Sequence, residues 1–225
     1  MAKLIEFNVD ARRGLERAVA GEQQERAAAG DRAQLGGARA DRALQLQRAQ
    51  HQVVGGPPQD DHAGGISDFP NATVHILASE FNATQTLTAK GKLRYKSEQF
   101  KQHRHWNFAE HTNGEAWFNL KRVQGLPFFQ DEILMIPLIG HTAGHCGIAI
   151  KKAEGWILFC GDAYYTHLEL NPKNKLRALD LTERLLAEDN RQRLHNLKQL
   201  QYLAQHEPSI ELICAHDPVE FDRYQ

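Results

Sequence analysis

No apolar run in the sequence approaches the roughly 20 residues that span a bilayer, which excludes an ordinary membrane-crossing helix. Cysteine is scarce: Cys146, Cys160 and Cys214 are three, an odd number, and each lies in an apolar run. This excludes a disulfide framework and predicts small buried thiols in a reducing compartment. Net charge is nearly absent, at −1, so no strongly basic surface awaits nucleic acid. Residues 1–10 lack the charged-then-apolar pattern of a secretion signal. These absences predict a cytoplasmic protein with neither a membrane nor a nucleic-acid partner. What is present suits a packed fold: 41% hydrophobic and 24% charged residues in 225 argue against global disorder and allow one large domain.

A further absence is local. From Val9 to Gly65 the chain uses only Ala, Arg, Asp, Gln, Glu, Gly, His, Leu, Pro and Val, with no Ser, Thr, Lys, Asn, Ile, Phe, Tyr, Trp, Met or Cys. All ten residues have codons beginning with G or C, so the restriction is a signature at the nucleotide level. Two readings stand. Much of residues 11–58 is translated out of frame, or it is a genuine Ala/Arg/Gln-rich helix or tail, since those residues favour helix. The chain accordingly divides into an anomalous segment, 1–60, and a globular domain, 61–225. Lacking any aromatic, the segment can bury few of the side chains that each contribute about 1.5–3 kcal/mol to a core. It is predicted to lack a strand pair, and the sheet edge so uncovered invites aggregation or a compensating homodimer contact.

After residue 65, short apolar or alternating runs predict strands over 73–78, 116–123, 133–138, 147–151, 156–160 and 210–215. A long charged stretch with Leu194, Leu197 and Leu200 at threefold spacing predicts one helix over 179–203. The stretch holding His103, His105, Trp106 and His111 reads as a surface helix or loop. Phe128-Phe129 reads as core, and Lys173, Lys175 and Arg177 as a solvated face.

Three of the apolar runs end in a metal-ligand type: Gly140-His141, Gly161-Asp162 and His216. Strand ends deliver side chains to one edge of a sheet, where loops converge and ligands bind. Asp61-His62 precedes the first confident strand. Imidazoles and carboxylates gathered from four distant points are what one or two zinc ions require, and iron or manganese accepts the same donors.

The motifs Asp61-His62-Ala63-Gly64-Gly65, Gly140-His141-Thr142-Ala143-Gly144-His145, Gly161-Asp162-Ala163 and Ala215-His216-Asp217 resemble, in order and spacing, those of the metallo-β-lactamase superfamily. The resemblance implies an α+β fold, a four-layer αββα sandwich with a dinuclear metal site at one edge of its two sheets. It implies that His141 is a ligand of the first metal and Asp162 a bridge between both. Asp61, His62 and His216 would hold the second, and His145 would support the ligands without binding metal. Tyr165, three residues after Asp162, is similar in spacing to the tyrosine of acyl-homoserine-lactone lactonases and would act with Asp61 in catalysis, donating to a carbonyl or developing oxyanion. An aromatic packed under the loop is the equal alternative for Tyr165. The resemblance thus implies a metal-dependent hydrolase of a small-molecule ester, lactone or amide.

The sequence departs from the family twice, both times inside the anomalous segment: the family's early strand ending in Asp-Thr-Gly is absent, and one ligand motif is altered. Where the family motif begins His-x-His or His-x-Asp, this chain has Pro57 and Gln59; the first has no donor atom and the second offers a neutral carbonyl. The first metal then keeps only His141 and Asp162, and activity should be impaired. The alternative is a catalytically degenerate member that serves as a binding module or has no function.

Overall fold

The computed structural model of the chain describes residues 52–54, 66, 70–86, 94–95, 103–110, 114–126, 129 and 132–224. Among the described residues, nine strands form two sheets. A three-stranded parallel sheet is ordered β1-β2-β3, from Gln52–Val54, Thr73–Leu77 and Trp106–Ala109. A six-stranded sheet runs in sequence order through β4 (Glu115–Trp117), β5 (Leu120–Gly125), β6 (Ile133–Pro137), β7 (Cys146–Lys151), β8 (Trp156–Gly161) and β9 (Ile210–Cys214). Helices are α1 (Ala78–Gln85), α2 (Arg177–Leu186), α3 (Asn190–His206) and the single turn α4 (Pro218–Phe221).

The apolar runs of the large sheet do not alternate with polar residues because both of its faces are covered. Leu134, Ala149, Leu158 and Leu212 are paired across β6 to β9 and form one buried row. That row packs with Leu200 and Leu203 of α3, both 0% exposed. On the other face Met135 packs with Leu77 of β2 and Cys146. The small sheet is covered outside by α1, whose Phe81 lies against the rings of Trp106 and Phe108. The order helix, sheet, sheet, helix is therefore set by which residues of each strand are apolar. All three cysteines are buried, and burial holds their thiols well above the ordinary range.

Three expectations are corrected. The run 116–123 is two strands: β4 and β5 form a hairpin in which Trp117 faces Leu120, and Phe118 in its turn has φ 50°. Such a turn demands positive φ, and no Gly marked it. The helix over 179–203 is two helices. Asp189 caps α3 by accepting from the N–H groups of Arg191 and Gln192, and the interrupted backbone is used elsewhere, as described below. The surface stretch around Trp106 contains β3. Within 11–58, where composition predicts no strand pair, Gln52–Val54 form a strand parallel to β2; the segment's other residues lie outside those described. Among the described residues no helix is long and apolar enough to cross a membrane.

Candidate active site

Strand direction brings the ligand types together. β6 is antiparallel to β7, β7 antiparallel to β8, and β8 parallel to β9, so the C-terminal ends of β6, β8 and β9 share one edge. His141, Asp162 and His216 follow those ends. The Asp162 carboxylate, 2% exposed, lies between two imidazoles: Oδ2 is 3.3 Å from His141 Nε2 and Oδ1 is 3.0 Å from His216 Nε2. His141 is buried, whereas the His216 side chain is 42% exposed, so the cluster opens to solvent on the β9 side.

Each ligand type is aimed by a local feature. The register of β8 on β9 shifts between Phe159 and Gly161, and Gly161 has φ 55°. A Cβ there would lie 2.8 Å from His145 Nε2, so glycine is needed for both the left-handed backbone and the space. His145 is fully buried. Its Nε2 accepts the backbone N–H of Asp162 at 3.0 Å, and its Nδ1 lies 3.1 Å from the Leu138 carbonyl. An Nε2 that accepts leaves the proton on Nδ1, which donates to Leu138. The ring is thus a neutral strut between the loop after β6 and the residue after β8.

The loop 138–145 is held from three further sides. The N–H groups of Glu188 and Asp189, at the break between α2 and α3, donate to the carbonyls of His141 and Gly140 at 3.1 and 2.9 Å. Asn196 of α3 donates to the Ile139 carbonyl at 2.6 Å. Glu80 of α1 accepts from the Gly144 N–H at 2.6 Å, and Arg94 donates to the His141 carbonyl at 2.9 Å. Burial pushes the Glu80 carboxyl above its usual range, opposed by the nearby Thr142 hydroxyl and by the hydrogen bonds from Gly144 and Tyr95.

The loops after β8 and β9 are clasped together. Asp217 accepts from the Thr166 hydroxyl at 3.1 Å and from the His167 N–H and Nδ1, both at 2.5 Å, while it caps α4 through the Val219 N–H. Burial alone would raise its pKa; the His167 N–H and ring and the other donors outweigh that and bring it down to about 2. Glu169 accepts from the N–H groups of Tyr165 and Thr166. The result is a Tyr165 ring 5.0 Å from the ring of His216 and 6.2 Å from that of His141. Tyr165 therefore faces the cluster.

Of the residues singled out in the sequence, His141, Asp162, Tyr165 and His216 come together here. Asp61 and His62, like Pro57 and Gln59, lie outside the described residues. Among the described residues no three His, Cys, Asp or Glu side chains form a closed metal-binding group; the two imidazoles meet through the carboxylate. Their chemistry nonetheless fits a divalent cation, because two imidazole nitrogens and one carboxylate are borderline donors facing one another. Sequence reasoning missed Glu80 and Arg94, and it gave Asp217, quoted within a motif, no role. Asp217 alone carried a signal, as Asp-Pro opens a helix with its cap and first residue.

The layers and the strand-edge cluster are those of the metallo-β-lactamase fold, and the chain has that fold. No protein-family profile matches it. The chain is 31% identical over 169 residues to a probable metallo-hydrolase of Mycobacterium tuberculosis, a match that covers 73% of this chain and 53% of the relative. The chain thus spans about half the length of the curated relatives it matches. Among solved structures it is similar to an N-acyl homoserine lactone hydrolase with N-hexanoyl-L-homoserine bound at its catalytic metal centre, at TM-score 0.56 and 19% identity over 77% of this chain and 58% of that one. It is similar also to AidC, a dizinc quorum-quenching lactonase, at TM-score 0.51 and 15% identity over 75% and 57%. The motif resemblance is to metallohydrolases, the curated relatives are probable metallo-hydrolases, and the solved structures share the fold.

Proposed function

We propose that the chain is a metal-dependent hydrolase whose substrate is a small ester, lactone or amide, with a lactone favoured. The observation that carries the reading is Asp162 lying between His141 and His216 at the edge where Tyr165 also faces. His141, Asp162 and His216, with Asp61 and His62, would hold the metal; zinc is the assignment, and iron or manganese would accept the same donors. A divalent cation supplies Lewis acidity there and lowers the pKa of water toward neutrality.

The chain's own residues do the rest. Tyr165 donates a hydrogen bond to the substrate carbonyl and holds it as negative charge develops on that oxygen. Asp162 keeps the two imidazoles at a fixed separation, and His145 holds the Asp162 backbone. The exposed face of His216 admits substrate. The lactone preference rests on the spacing of Tyr165 from Asp162 and on the substrates of the structural neighbours.

Activity as written is impaired on this reading, because Pro57 and Gln59 supply no good donor to the first metal. The 1–60 segment then replaces an in-frame stretch that would have carried two ligands. A degenerate binding module is the second reading, favoured by the same two residues. Metal per chain, measured after purification without chelators, beside hydrolysis of a panel of lactones, esters and amides, tests both. Bound metal with slow lactone turnover supports the hydrolase. Neither metal nor turnover supports the degenerate protein.

A further inference from the structure

We propose that Glu80 is a positioning residue for His141, acting through the loop 140–145 with Tyr95 and Arg94 as its partners. The inference rests on the reading of His141 as a metal ligand. Glu80 sits in the first turn of α1 and is 0% exposed. Its Oε2 accepts the Gly144 N–H at 2.6 Å and its Oε1 accepts the Tyr95 hydroxyl at 3.0 Å. Gly144 is glycine because a Cβ there would collide with the Cβ of Glu80. Arg94, the neighbour of Tyr95, crosses to the other side of the loop. It donates to the His141 carbonyl at 2.9 Å and to the Leu186 carbonyl at 2.6 Å. The backbone from His141 to Gly144 is thereby tied to α1, to the 94–95 pair and to the end of α2.

A carboxylate is a costly way to fill a buried space, since an apolar side chain of similar volume is often as stabilising. What it adds is geometry. One oxygen accepts from the residue three positions after His141 and the other from Tyr95, next to the Arg94 that holds the His141 carbonyl, and both donors must lie where those oxygens are. Glutamine has the same shape but presents an amide NH₂ where a donor already points. Glu80→Gln therefore tests geometry with little change of volume.

The experiment uses the full-length chain. Co(II) and Zn(II) affinity and the visible spectrum of the Co(II)-loaded protein are measured for the unchanged chain, Glu80→Gln, Tyr95→Phe, His141→Ala and the core control Leu203→Ala, each with its thermal midpoint. We expect Glu80→Gln to weaken binding about tenfold or more, the range in which residues supporting metal ligands act, and to alter the Co(II) bands. Leu203→Ala should lower the midpoint while leaving affinity and spectrum unchanged. If Glu80→Gln does not fold, Tyr95→Phe decides, with weaker binding and altered bands expected. Affinity and bands like those of the unchanged chain in the folded Glu80 or Tyr95 variant, alongside lost binding in His141→Ala, overturn the positioning role alone. No binding by the unchanged chain, or no effect of His141→Ala, overturns the metal reading and the inference with it.

Discussion

The ring of His145 joins two strand ends: its Nε2 takes the backbone N–H of Asp162 at 3.0 Å while its Nδ1 meets the carbonyl of Leu138 at 3.1 Å. One buried neutral imidazole thus couples the loop bearing His141 to the residue that stands between His141 and His216. It also explains why Gly161, whose missing side chain leaves room for that ring, stands before Asp162.

Substituting Gly161 by alanine should therefore act twice. The left-handed backbone at φ 55° becomes strained and the new methyl meets the His145 ring. A loss of about 1–3 kcal/mol is expected from strain of this kind, read in denaturant unfolding. The His145 ring signals should move in the NMR spectrum. An unshifted His145 would show that the ring does not sit against Gly161.

Asp162→Asn should lower metal per chain while the fold persists, since the carboxamide keeps the shape but loses the charge. His216→Ala should lower it as well, with a smaller effect on stability because His216 is the exposed member of the cluster. Metal analysis and thermal unfolding of the two variants, side by side, check the order.

Tyr165→Phe separates binding from turnover. The phenol is assigned to the substrate carbonyl and not to the metal, so metal content should hold while kcat falls. Removing one such donor costs about 100- to 1000-fold in well-studied cases, and a partly solvated site should sit at or below the lower figure. Loss of metal in this variant would reassign Tyr165 as a structural prop.

The buried pair Glu183 and Arg193, 2.8 Å apart, gives a pH dependence. Burial first, then the neighbouring Glu169 carboxyl, pushes Glu183 up to about 8, and Arg193 only partly opposes this. The folded state then holds a proton that the unfolded chain releases near the ordinary value of 4.5. This contribution is fully present below that value and is lost as pH rises through about 8. Glu183→Gln, which stays neutral, should flatten the fall in thermal midpoint between those limits.

Restoring imidazole at the two departures, Pro57→His with Gln59→His, should raise metal per chain and lactone turnover only when an in-frame upstream segment accompanies it. Ligands on an unsupported loop are poorly placed. Equal metal and turnover before and after repair would mean that those positions do not carry ligands.

The sequence by itself determined the apolar runs that became β2 and β6 to β9, the three ligand types at their ends and the order of the motifs, because each of these is a local pattern. It also determined that Cys146, Cys160 and Cys214 would be buried thiols. Tertiary structure decided the rest. The break at 187–189 left no strong mark in the sequence, for its freed N–H groups find partners in Gly140 and His141, some 48 residues away in the chain. The β4–β5 turn at Phe118 and Asn119 has no glycine, and it is held by a hydrogen bond from Asn119 to the Gln199 carbonyl of α3. Glu80 and Arg94 look like ordinary charged residues until the loop they hold is folded against them. Ligand identity is a matter of residue type and can be read along the chain, whereas the aim of each ligand is a matter of distant hydrogen bonds, which periodicity does not encode.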